Sequence, residues 1–165
     1  MTLVAMTEHT LTIQYQEFAS PEEMSAEDRS VVEAALEAQK GSYSPYSHFQ
    51  VGAALLLEDG TVVKGANQEN AAYPSGLCAE RTAMFAAGAN HTDVPFKTLA
   101  IVASDHGVLC EFPASPCGSC RQVMAEYQKK QGKPFQIILV GSKSIRKFAK
   151  VDDVLPFIFD SLHTD

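Results

Sequence analysis

The sequence has no surplus of basic residues and no long apolar run. Its 165 residues include 20 acidic and 13 basic side chains, which gives a formal net charge of −7. Proteins that bind polynucleotide backbones usually show a basic surplus or stripe, so this balance disfavours a nucleic-acid partner and favours a small free substrate. The longest apolar run, residues 51–57, is far shorter than the roughly 20 residues of a membrane-spanning helix. No membrane partner is therefore expected.

A secretory signal and a cysteine-rich framework are also absent. The N-terminus has no positive region followed by an apolar core, and we expect a cytoplasmic protein. There are four cysteines, at positions 78, 110, 117 and 120. Because cytosolic chains seldom rely on disulfides, metal binding or redox chemistry is the better interpretation of these cysteines.

The apolar pattern predicts one α/β domain at residues 25–165, preceded by an N-terminal extension at residues 1–24. The predicted helices span residues 25–40, 78–88 and 117–129, and the predicted strands span residues 11–15, 49–57, 61–66, 99–104 and 135–140. Helices alternate with strands late in the chain, which implies parallel strands there. The basic cluster Lys143, Arg146, Lys147 and Lys150 is interpreted as the solvated face of a further helix.

Two short motifs carry the chemistry, Cys78-Ala-Glu80-Arg81 and Pro116-Cys117-Gly-Ser-Cys120. Catalytic zinc uses three protein ligands and leaves a fourth position for water, so the three cysteines predict an open zinc site. Glu80 is the natural proton carrier for that water. Three thiolates on Zn²⁺ leave a net charge of about −1, and Arg81 is the nearest candidate to offset it.

A C-x-E pair followed by P-C-x-x-C resembles the small homotetrameric cytidine deaminases. The string PYSHFQVGAA at residues 45–54 and the LPFIF at residues 155–159 are similar to the same family. The resemblance implies a three-layer α/β/α sandwich with a mixed five-stranded sheet, in which both metal-bearing helices lie on one side. It also implies one zinc ion per chain, deamination of cytidine and 2′-deoxycytidine in pyrimidine salvage, and a homotetramer with sites shared between subunits.

The same resemblance assigns roles to individual residues. It implies that Phe49 packs against the pyrimidine ring, that the Ala79 N–H meets the base carbonyl, and that Asn67 and Glu69 bind the ribose 3′-hydroxyl. It implies further that Phe159 covers the base in the site of a neighbouring subunit. Two features depart from the family pattern, namely the N-terminal extension and a long loop at residues 105–114.

Three other interpretations remain open at this stage. Cys110 could supply a fourth sulfur and close the zinc site, which would make it structural and non-catalytic. Cys117 and Cys120 could instead form a redox pair at the start of a helix. Within the enzyme class, relatives with similar motifs deaminate the aminopyrimidine nucleoside blasticidin S.

Overall fold

The computed structural model describes residues 6–160. The three helices are α1 (Ala26–Ala38), α2 (Ala79–Asn90) and α3 (Gly118–Gln131). The seven strands are β1 (Gln16–Phe18), β2 (Phe49–Leu57), β3 (Val62–Ala66), β4 (Phe96–Asp105), β5 (Val108–Leu109), β6 (Gln136–Val140) and β7 (Ile145–Phe148). Among these helices, none is long and apolar enough to cross a membrane.

The strands form one mixed sheet in the order β1-β7-β6-β4-β2-β3, with β5 paired to β4. β4 and β6 are parallel, as the alternation of helix and strand predicted. The predicted number of five strands is wrong, since the described residues contain seven. β5 and β7 have only two and four residues, too few for a hydrophobic period to reveal them, so their pairing depends on the neighbouring strands.

Two segments of the chain differ from their predicted structure. The edge strand lies at Gln16–Phe18 and not at residues 11–15. The basic cluster lies around β7 and not on a helix, because Ile145–Phe148 pairs antiparallel with β6. The spacing of its charges, 143, 146, 147 and 150, matches one face of a helix, but Lys147 and Arg146 form separate ion pairs with Asp28 and Glu17.

Alternating residues of the central strands face two separate cores. Ala54 and Leu56 of β2 belong to a cluster with Val31, Val32 and Ala35 of α1. The intervening Ala53, Leu55 and Leu57 pack in a second cluster with apolar residues of α2 and α3. This period of two is the ordinary consequence of strand geometry. It places α1 on one face of the sheet and both α2 and α3 on the other, as the α/β/α prediction requires.

Strand direction brings the starts of α2 and α3 to one edge of the sheet. β3 and β4 are both antiparallel to β2, so they run in the same direction and end at the same edge. α2 follows β3, and α3 follows the β4–β5 hairpin. Ligands in α/β folds commonly bind outside the carboxyl ends of such strands.

A glycine allows α2 to lie directly on the sheet. A Cβ atom on Gly65 of β3 would come 2.5 Å from the carbonyl oxygen of Ala79 and 2.5 Å from the nitrogen of Ala83. Both contacts are to backbone, which cannot swing aside as a side chain can. The close approach of this strand to the first turn of α2 therefore requires glycine.

We predict that Gly65→Ala displaces the first turn of α2 and lowers the free energy of unfolding by about 1–3 kcal/mol or more, as overpacking usually does. Gly41→Ala is the matched control, since its new Cβ would meet only the Ala66 Cβ at an ordinary 3.8 Å. Urea denaturation of both variants measures the difference. Equal stability of the two variants would contradict this account of the contact.

Candidate metal centre

Three cysteine sulfurs meet where α2 and α3 begin. Cys78 is the residue before α2, Cys117 the residue before α3, and Cys120 lies in the first turn of α3. Their sulfurs all lie within 4.8 Å of one another, with 3.9 Å between Cys78 and Cys117 and 3.5 Å between Cys117 and Cys120. Tetrahedral zinc with Zn–S bonds of 2.3 Å separates its sulfurs by about 3.8 Å. The three thiols therefore fit a zinc ion.

The charges around the sulfurs favour thiolate formation at Cys78. The pKa of Cys78 is lowered to about 5, chiefly because the Cys120 thiol donates a hydrogen bond to it and also because of the Arg81 guanidinium. Arg81 Nη2 lies 3.6 Å from the Cys78 sulfur. The same hydrogen bond raises the pKa of Cys120, which keeps the proton. Since thiolates are the metal-binding form, these charges favour the binding of a cation at the three sulfurs.

Glu80 lies buried in the first turn of α2. Its side chain is only 5% exposed, and its pKa is raised chiefly by this burial and further by the negative charge of Cys78. Burial disfavours the charged form of a carboxyl group. Only Ala79 separates it from Cys78 along the chain, and its carboxyl group shares a hydrogen bond with the Cys120 side chain, so the structure puts a proton-accepting group beside the sulfur cluster.

The asparagine predicted to bind the sugar is held in one orientation. Its Oδ1 accepts hydrogen bonds from the Val51 N–H at 2.8 Å and from Ser42 Oγ at 2.5 Å, and Asn67 Nδ2 donates to the Phe49 carbonyl at 2.8 Å. The backbone of Phe49 is thus tied to Asn67. Ser42 was missed by sequence reasoning, because a serine in a loop gives no signal of its partner.

Glu69 is fixed through one of its two carboxylate oxygens. Oε2 accepts from the Tyr46 N–H at 2.9 Å and from the Ser47 N–H at 3.2 Å. The pKa of Glu69 is lowered chiefly by a hydrogen bond from the Ser47 side chain, so this carboxylate is charged at neutral pH. Between Asn67 and Glu69, Gln68 pairs with Leu77 through two backbone hydrogen bonds of 2.8 and 2.9 Å. Because Leu77 precedes Cys78, these two hydrogen bonds bring the segment that carries Asn67 and Glu69 close to the sulfur cluster.

The C-terminal segment, residues 154–160, runs along α3. The Phe159 carbonyl accepts a hydrogen bond of 2.7 Å from Gln122 Nε2, whereas its ring is 67% exposed. Phe157 is still more exposed, at 86%. Leu155 and Ile158 pack against the core. In this chain by itself, Phe159 therefore lies outside the core and presents its ring to solvent.

Comparison with known proteins places this centre in a family. The family model that matches residues 25–132 is described as the cytidine and deoxycytidylate deaminase zinc-binding region. This match contains all three clustered cysteines and Glu80. The chain belongs to the cytidine and deoxycytidylate deaminase family.

Relatives of this deaminase share both sequence and fold. It is 50% identical over 97 residues to a cytidine deaminase of Halalkalibacterium halodurans, an alignment that covers 58% of this chain and 68% of that protein. It is 53% identical over 90 residues to one of Sporosarcina psychrophila, which covers 54% of this chain and 62% of that protein. The crystal structure of cytidine deaminase from Burkholderia pseudomallei is 41% identical with a TM-score of 0.68, and covers 82% of this chain and 100% of that one.

Cys110 does not complete the sulfur cluster of the deaminase. Among the described residues, the group of metal-ligating atoms within 4.8 Å of one another contains Cys78, Cys117 and Cys120 but not Cys110. Cys110 is tied elsewhere, since its N–H donates to Ala103 and its carbonyl accepts from Ser142. The alternative of a closed four-sulfur site is therefore wrong. The redox alternative is disfavoured, because Cys78 clusters with Cys117 and Cys120 and the matching family model describes a zinc-binding region.

We predict that Cys110→Ala retains as much zinc as the wild-type protein after dialysis against a chelator. Cys117→Ala is the matched control, because Cys117 is exposed and its loss removes a ligand with little loss of packing. This control should lose most of its zinc. Elemental analysis of the dialysed proteins measures both. Loss of zinc from Cys110→Ala would restore the closed site as an explanation.

Proposed function

We propose that this deaminase hydrolyses cytidine and 2′-deoxycytidine to uridine and 2′-deoxyuridine with release of ammonia, using one zinc ion per chain. The observation that carries the proposal is the buried Glu80 carboxyl beside a cluster of three sulfurs. Cys78, Cys117 and Cys120 would hold the ion. Zinc in such an open site supplies Lewis-acid activation of water.

Glu80 moves the protons of the reaction. It takes a proton from the attacking water and delivers it to ring N3, which makes C4 of the base electrophilic. It then carries the proton of the newly added C4 hydroxyl to the departing amine, so that the C4–N bond breaks and water and cytidine become uridine and ammonia. A carboxyl whose pKa is raised by burial both accepts and returns a proton more readily near neutral pH. Arg81 offsets the negative charge of the sulfurs.

Phe49, Ala79, Asn67 and Glu69 would recognise the nucleoside. Phe49 offers an aromatic face to the base, and Ala79, the first residue of α2, offers a helix N-terminal N–H to the base carbonyl. Asn67 Oδ1 already accepts two hydrogen bonds, so its amide offers the 3′-hydroxyl a donor. Glu69 Oε1 offers the complementary acceptor. Because these contacts address the 3′ position, both the ribose and the deoxyribose substrate are expected to react.

The assembly proposed is a homotetramer in which Phe159 of one subunit covers the base in the next. The exposure of Phe159 and Phe157, at 67% and 86%, supports this because large aromatic rings favour burial. Residues 25–165 would form the deaminase domain, with the preceding extension adding its edge strand. The four free cysteines are compatible with the reducing cytoplasm, where pyrimidine salvage would take place.

We predict that Glu80→Gln keeps its zinc but turns over cytidine and 2′-deoxycytidine about 10²–10⁴ times more slowly, since a glutamine cannot transfer the proton. Loss of ultraviolet absorbance measures turnover, and elemental analysis measures zinc in the same samples. Glu126→Gln, in an exposed position of α3, is the control. Wild-type turnover of blasticidin S without turnover of cytidine would reassign the substrate, and full activity of Glu80→Gln would refute the mechanism.

We predict that two inactive variants complement one another if subunits share sites. Glu80→Ala lacks the proton carrier and Phe159→Ala lacks the cover for the neighbouring base. In a mixed tetramer, a Phe159→Ala subunit keeps Glu80 and receives Phe159 from its neighbour. Unfolding and refolding the two variants together should therefore raise cytidine turnover above the sum of the separately refolded samples. Turnover equal to that sum, from a tetramer confirmed by sedimentation, would contradict the shared site.

A further inference from the structure

Arg121 occupies a position that helix electrostatics disfavours. It lies in the first turn of α3, where the positive end of the helix macrodipole makes a cation unfavourable. α2 also carries an arginine in its first turn, but Arg81 points to the Cys78 sulfur. Arg121 has different partners, all of them backbone carbonyls, and the deaminase chemistry proposed above gives it no role.

Two of the contacts of Arg121 are made to the peptide groups before and after the Cα of Cys117. Its side-chain Nε donates to the Pro116 carbonyl at 2.8 Å, and its own backbone N–H donates to the Cys117 carbonyl at 3.0 Å. Pro116 is buried, whereas Cys117 is exposed. Packing therefore does little to hold the Cys117 side chain, and the peptide groups on both sides of its Cα are held by one residue.

The third contact of Arg121 reaches the C-terminal segment. Its Nη1 donates to the Val154 carbonyl at 2.7 Å, and Val154 is buried in the core beside α3. The next residue, Gln122, holds the Phe159 carbonyl of the same segment. A planar guanidinium can donate to two carbonyls in fixed directions, which a lysine ammonium on a flexible stem cannot reproduce.

We propose that Arg121 is a positioning residue that holds Cys117 in place for zinc by fastening the Pro116 carbonyl to the C-terminal segment. The inference rests on the proposed zinc centre. Substitutions of residues that orient metal ligands typically cost about 10–100-fold in metal affinity. Zinc should therefore leave an Arg121 variant faster while the rest of the domain stays folded.

The test compares zinc release from the zinc-loaded enzyme to a chromogenic chelator, well below the melting temperature of every variant. Arg121→Ala should release zinc about 10–100 times faster than wild type. Arg121→Lys, whose single ammonium nitrogen cannot lie beside both carbonyls at once, should release zinc at a rate between those of wild type and Arg121→Ala. Gln122→Ala removes only the contact to Phe159 and should release zinc at the wild-type rate.

Cobalt substitution gives a second readout that general loss of stability would not move. The thiolate-to-cobalt absorption of folded Arg121→Ala should be weaker than that of wild type, whereas that of Gln122→Ala should be unchanged. The inference would be overturned if folded Arg121→Ala released zinc at the wild-type rate and showed the wild-type cobalt absorption. If that variant does not fold, Arg121→Lys decides in the same way. Faster release from Gln122→Ala, equal to that from Arg121→Ala, would also overturn it.

Failure of the inference is distinguishable from failure of the proposed function. A wild-type enzyme that holds zinc and deaminates cytidine, with Arg121 variants that release zinc normally, would refute only the role of Arg121. A wild-type protein that binds no zinc would refute the proposed zinc centre itself, and the role of Arg121 with it.

Discussion

Three sulfurs must be brought together from distant parts of the chain, and the rest of the structure depends on this. Cys78 and Cys117 are 39 positions apart in the chain, yet their sulfurs lie 3.9 Å apart. β3 and β4 run in the same direction, so α2 and α3 begin at the same edge of the sheet. Small residues then let α2 approach the sheet closely, above all at Gly65. The cluster of three sulfurs is therefore a product of sheet topology and close packing together.

Charge at this centre is balanced by the chain itself. Helix N-termini stabilise negative sulfur, and Arg81 adds a full positive charge beside Cys78. The same burial that raises the pKa of Glu80 removes competing water from its carboxyl group. One helix turn, from Cys78 to Arg81, thus contains the proposed metal ligand, proton carrier and counter-charge. The environments of these three side chains differ because the side chains leave the helix in different directions.

The parts that would recognise the substrate are held by backbone contacts. Asn67 links the end of β3 to the start of β2, and Glu69 fastens the loop at Tyr46 and Ser47. The C-terminal segment is held by α3 through Arg121 and Gln122. α3 thereby connects two of the proposed zinc ligands with the segment that carries Phe159. Loops of this kind carry function because rigid elements fix both of their ends.

Local signals in the sequence were enough to predict the three cysteines that cluster and the main helices and strands. Cysteine spacing and the alternation of helices with strands are local signals, and the helices and long strands were predicted within a few residues. Tertiary structure decided the seven-strand sheet, the strand at Ile145–Phe148 and the separation of Cys110 from the cluster. It also decided the partners of Ser42 and Arg121. These features arise from hydrogen bonds and contacts between residues far apart in the chain, and no local period or spacing encodes such pairings.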